Sequence, residues 1–214
     1  MYPEPANKTK DKEVMQLTIQ PAKTLAVAIF ACGLSLMASA QIGTGWTTDS
    51  SSHTLQKVGS TAYYNNSGGI ETFRIYSGDE RSEIKINNTY SSGSHQFEGY
   101  VNCRSGSDQN SIQQVVKADG TGDVNQLRIY NSNSGTLKVL QTGVVCATGV
   151  YGVYTRVNCL HYRSNGHIEI WVNGHEKSVG SDTGSGSYYF KYGVYVHAEN
   201  NPQIQWKSIK CWKK

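Results

Sequence analysis

The chain is 214 residues long with one composition regime after its first forty residues, which sets the expectation of one domain. Its formal net charge of +4 comes without any run of Lys or Arg, which argues against a nucleic-acid partner and leaves room only for a local basic cleft. With 22 glycines, 4 prolines and Tyr, Val, Ile and Thr recurring with period two, the sequence describes strands and turns rather than helices.

The start differs in kind. Lys23 precedes an apolar run over 24–38 that closes on Ala38-Ser39-Ala40, the pattern of a secretory signal peptide. The run is too short to span a bilayer comfortably, so no membrane partner is expected. Residues before Met15 are polar and unlike a signal n-region, which makes Met15 a candidate start. The expectation is a signal peptide over 1–40 and a secreted, extracellular domain over 41–214. That domain keeps sixteen basic and thirteen acidic residues, a net charge of +3.

Within 41–214 the period-two pattern predicts strands over 53–57, 72–76, 81–86, 94–103, 111–117, 125–131, 136–140, 153–161, 167–172, 188–197 and 203–211. Turn formers separate them, among them Asn66-Ser67-Gly68-Gly69, Asp119-Gly120-Thr121-Gly122 and Asn173-Gly174. So many strands in one domain imply an all-β jelly-roll β-sandwich of two antiparallel sheets. Cys103, Cys146, Cys159 and Cys211 remain after the signal, an even set that predicts two disulfides of unassigned pairing in an oxidising compartment. Cys159 and His161 lie close, but no CxxC pair supports zinc. Asn65 and Asn87 head glycosylation sequons.

Four strands carry one apolar and one polar face. In 81–86, Ile84 and Ile86 turn to the core and Arg81, Glu83 and Lys85 share the other face. The strand over 111–117 offers Gln113, Gln114 and Lys117, and the next presents Gln126, Arg128 and Tyr130 together. The last, 188–197, puts Tyr189, Lys191, Gly193, Tyr195 and His197 on one face and Phe190, Tyr192, Val194 and Val196 on the other. A glycine inside such a strand lets a ligand or another backbone come close. Together these faces suit a concave polar groove for an anionic sugar chain, with tyrosines stacking on rings and cations meeting carboxylates.

Arg81-Ser82-Glu83-Ile84-Lys85, Gln114-Val115-Val116 and Tyr189-Phe190-Lys191-Tyr192-Gly193-Val194-Tyr195 resemble, in this order, the signature strands of the alginate-lyase-type polysaccharide lyases, to which glucuronan lyases are related. The resemblance implies β-elimination on a uronic-acid polymer, without a cofactor or metal. Arg81 and Gln114 would neutralise the uronate carboxylate, and Tyr195 would serve as acid and, for some substrates, as base. Its phenol would be lowered from about 10 by Arg81, Lys85 and Lys191. Glu83 would hold Arg81, while Lys85, Arg128, Tyr189, Lys191 and His197 would meet the substrate. One position departs from the family's Gln-x-His pattern, because Val116 stands where it has histidine. Either Tyr195 makes both proton transfers, or His95 or His197 substitutes, or the site is inactive.

Other chemistries lack their residues. No close pair of carboxylates suits a glycosidase, since the strand over 167–172 carries Glu169 alone. No Gly-x-Ser-x-Gly elbow is present. Asp119-Gly120-Thr121-Gly122-Asp123 is half a calcium loop whose twelfth position is Tyr130, and it is expected to be a turn. The expectation is therefore a monomeric secreted lyase acting on an anionic polysaccharide, with a non-catalytic lectin on the same sandwich as the alternative.

Overall fold

The computed structural model describes residues 41–182 and 184–214, so the expected signal peptide lies outside the described residues. The chain runs through β1 (Thr47–Thr48), β2 (His53–Val58), β3 (Tyr63–Ser67), β4 (Ile70–Arg74), β5 (Arg81–Ile86), β6 (Ser94–Cys103), β7 (Asn110–Lys117) and β8 (Asp123–Tyr130). It continues through β9 (Thr136–Val139), β10 (Val145–Thr148), β11 (Thr155–Tyr162), β12 (His167–Val172) and β13 (His175–Ser181) to β14 (Tyr188–Tyr195) and β15 (Gln203–Lys213). One sheet is ordered β13-β12-β11-β6-β15-β4-β3, with β1 also on β15, and the other β10-β9-β8-β7-β14-β5-β2. Neighbouring strands are antiparallel in both. This is the all-β sandwich that the period-two pattern implies.

The core lies between the sheets and is seamed by aromatic rings. Tyr192 of β14 meets Phe97 of β6 at 5.6 Å, Phe73 of β4 at 5.8 Å and Trp206 of β15 at 5.9 Å between centroids. Such pairs add to the area they bury because ring edges meet ring faces. The Tyr192 hydroxyl keeps a partner in this dry setting by donating to Glu71 Oε2 at 2.8 Å. Burying β14 on one side this firmly fixes which of its residues face outward.

Four strands escape the sequence pattern: β1, β3, β10 and β13. β1, β3 and β13 are mostly exposed and β10 buries only Cys146, so no apolar alternation marks them. Turn chemistry does mark two of the hairpins. Gly68-Gly69 joins β3 to β4 and Asn173-Gly174 joins β12 to β13, all four residues with positive φ as a two-residue hairpin turn requires.

The expected disulfides are not formed, and all four cysteines are buried free thiols. Register gives the reason for one pair. Cys159 of β11 and Cys211 of β15 both stand opposite Phe97, on either side of it. They are two strand spacings apart, roughly 10 Å, where a disulfide tolerates ~7 Å between Cα atoms. Cys103 sits at the far end of β6, and Cys146 belongs to the other sheet.

Candidate functional site

The sheet containing β14 carries the polar cleft, and its register shows why separated sequence motifs converge there. Arg81 of β5 pairs with Tyr195 of β14, Tyr195 with Ser111 of β7, Ser111 with Arg128 of β8, and Arg128 with Lys138 of β9. A parallel row runs Lys85, Lys191, Gln114 and Gln126, and a third runs Tyr189, Val116 and Asp123. Side chains directly opposite each other in such rows stand within contact distance. A cleft of about 220 Å³ opens among them, lined by Arg81, Gln114, Val116, Asp123, Tyr189, Lys191 and Tyr195, with Gly120 and Gly122 of the β7–β8 hairpin at its rim.

Glu83, 1% exposed, ties the floor together. Its Oε1 accepts from Gln114 Nε2, and its Oε2 accepts from Lys191 Nζ at 3.3 Å and lies 3.6 Å from Arg81. Burial raises the Glu83 carboxyl above the usual range, with Lys191 and Arg81 opposing. Arg81 also donates to Glu80 and lies over the Tyr195 ring at 4.8 Å, while Lys85 lies over Tyr189 at 4.4 Å. On the far wall Arg128 donates to Ser111 Oγ at 3.1 Å and to Gln126 Oε1 at 2.8 Å, and Gln126 donates to Asp123.

The structure brings Arg81, Glu83, Gln114, Tyr189, Lys191 and Tyr195 together, with Lys85 and Arg128 beside them. It does not bring the histidines. His95 lies on β6, in the opposite sheet, where its ring stacks on Tyr90 at 3.7 Å and its Nε2 donates to the Ser92 carbonyl at 3.1 Å. His197 is also displaced. β14 ends at Tyr195, and Val196 and His197 both have positive φ, so the alternation that placed His197 beside Tyr195 and Val196 in the core stops short. His197 contacts Glu199 at 3.2 Å instead.

The expected lowering of the Tyr195 phenol is overturned in direction. Burial is the largest influence and raises it above 10, with Arg81 opposing. The buried imidazole of His161 is a further group outside the cleft. Its Nδ1 accepts from the Tyr90 hydroxyl at 2.9 Å and its Nε2 donates to Asp182 at 2.8 Å. Burial pushes it down to about 4.

Asp123, Ser111 and Gly120 are parts of the site that the strand pattern does not mark. The available signal was the hairpin itself. A short turn joining the Gln114 strand to the Arg128 strand must close one end of the face those residues share. Asp119 shapes that turn, accepting from the Thr121 N–H at 2.9 Å and its hydroxyl at 2.7 Å.

This sandwich is the fold of the alginate lyases. An alginate lyase of polysaccharide lyase family 7, AlgAT5, matches it with a TM-score of 0.59 at 18% identity, over 73% of this chain and 84% of that one. The alginate lyase from Corynebacterium sp. matches with a TM-score of 0.58 at 18% identity, over 71% and 81%. No family model matches the sequence. A curated relative does: the citrate-binding protein of Hevea brasiliensis is 35% identical over 164 residues, 70% of this chain and 67% of the relative. The chain belongs to the family of that citrate-binding protein.

Proposed function

We propose that this protein binds a carboxylated ligand, of citrate size or one uronate unit, in the cleft between Arg81, Lys191 and Tyr195, and does not turn it over. One observation carries the proposal: the cleft gathers cations, amides and phenols but no imidazole, and Val116 stands where the lyase resemblance implies the base. Elimination would then rest on Tyr195 as the phenolate. Burial holds its phenol above the ordinary tyrosine value, so the phenolate is disfavoured at neutral pH. Arg81 offers a planar donor fork matched to a carboxylate, and Lys191 and Gln114 add donors beside it. At about 220 Å³ the space is smaller than a drug-sized pocket, which favours one small anion over a buried oligomer. The name of the Hevea relative points the same way.

Tyr195 in register beside Arg81, with Gln114 nearby, favours a second possibility, β-elimination on a uronate polymer. Calorimetry with citrate and glucuronate, run beside ultraviolet assays for unsaturated uronate on glucuronan, polymannuronate and polyguluronate, separates the two. Saturable binding without product is the expected result. Product formation that disappears in Tyr195→Phe would establish the lyase. Delivery by secretion belongs to the same proposal, and N-terminal sequencing of protein from the medium should begin at Gln41.

A further inference from the structure

Asp123 opens β8 on the cleft wall, in register with Val116 and, one strand further, Tyr189. Its surroundings differ from those of Glu83. Glu83 is met by Lys191, Arg81 and Gln114, whereas Asp123 makes no ion pair among the described residues. Its one hydrogen bond comes from Gln126, whose orientation is fixed from behind. Gln126 Oε1 accepts from Arg128 Nε at 3.0 Å, from the second Arg128 nitrogen at 2.8 Å and from Ser111 Oγ at 2.5 Å. An amide flip would turn its NH2 against guanidinium donors, so the NH2 must face Asp123 Oδ2. Among the described residues Asp123 Oδ1 has no hydrogen-bond partner, which leaves it available to a ligand.

A ligand carboxylate seated on Arg81 and Lys191 shares the same 220 Å³ or so with this side chain. Two carboxylates in so small a space cannot both stay ionised without cost, and one proton between them converts repulsion into a charge-assisted hydrogen bond. We propose that Asp123 is a specificity-determining carboxyl: it takes up one proton from solvent as the ligand enters and donates it from Oδ1 to the ligand's carboxylate. This rests on the carboxylate-binding proposal above.

The groups around Asp123 come from four strands, with Lys85 of β5 further off over Tyr189. Arg81 and Glu83 stand on β5, Tyr189, Lys191 and Tyr195 on β14, and Arg128 on β8, while β7 contributes the uncharged Ser111, Gln114 and Val116. Burial already raises the Asp123 carboxyl above its ordinary value, against Gln126, Lys191, Arg81 and Arg128. An anionic ligand raises it further, so binding takes up a proton and strengthens as pH falls.

Calorimetry with glucuronate at pH 5 to 8, in pairs of buffers with different ionisation heats, reads the proton directly. The wild-type chain is expected to take up as much as one proton per ligand at pH values between the free and bound values of the carboxyl. Its affinity should change by up to about tenfold per pH unit between the free and bound values of the carboxyl. Asp123→Asn keeps the acceptor for Gln126 and should bind without proton uptake, with affinity flat in pH. Thermal unfolding checks that this variant is folded. Wild-type binding without proton uptake, or an Asn variant that retains it, overturns the proposal alone. No binding at any pH overturns it together with the carboxylate proposal beneath it.

Discussion

Arg81→Ala is expected to weaken carboxylate binding by about 2–4 kcal/mol, roughly 30- to 1,000-fold in Kd. The size follows from position and shape together. Arg81 stands on the cleft face of β5 with its guanidinium over the Tyr195 ring, and Glu80 and Glu83 hold it from two sides. Its planar fork is thereby oriented before any ligand arrives, so little of the interaction is lost in ordering it. Arg81→Lys keeps the charge but loses the fork and the stacking, and should fall between wild type and alanine. The fold should survive either change, because Glu83 keeps Lys191 and Gln114 as partners. Titration calorimetry with citrate, beside a thermal melt, decides the point. An unchanged Kd in the alanine variant would remove Arg81 from the site.

What the sequence disclosed and what it hid divide along one physical line. Side-chain alternation is a local property, so Arg81 with Glu83, and Tyr189 with Lys191 and Tyr195, could be placed on shared faces from the residues alone. That these faces belong to adjacent strands was not local information. It came through the resemblance to the lyase strands, and the structure now gives the register. His95 illustrates the limit. It sits in a strand next in sequence to the Arg81 strand, yet β6 lies in the opposite sheet. Sequence neighbours in a sandwich change sheets at a turn, and no pattern within either strand records it.

Backbone departures were equally hidden. Nothing in Val196-His197 announces two consecutive residues with positive φ, a conformation that β-branched side chains rarely take. The cysteines were an even set, but parity says nothing of distance, and Phe97 separates Cys159 from Cys211 across a full strand. For Tyr195 the sequence shows the nearby cations but not the burial of the phenol. Burial is the larger influence and runs the other way.

Gly193→Ala is expected to damage both stability and binding, although it touches no ligand-facing functional group. Gly193 stands at φ +140°, opposite Glu83 on β5, where the register of β14 against β7 shifts between Tyr192 and Tyr195. A Cβ there would lie 2.5 Å from the Ser82 carbonyl oxygen, 2.7 Å from Glu83 Cα and 3.2 Å from the Phe73 ring. The two closest are backbone atoms, which cannot swing aside as a side-chain tip can. It is the backbone of β5, not a ligand, that uses the space this glycine leaves. Strain at the positive φ costs about 1–3 kcal/mol and overpacking about 1–3 more, so urea unfolding should find a loss of roughly 2–6 kcal/mol. To relieve the clash β14 must move away from β5, and that seam aligns Arg81 with Tyr195 and Lys191 with Glu83. Ligand affinity should therefore fall with stability, even measured where the variant is fully folded. A variant of normal stability and affinity would mean that the β5–β14 seam yields without cost and does not set the geometry of the cleft.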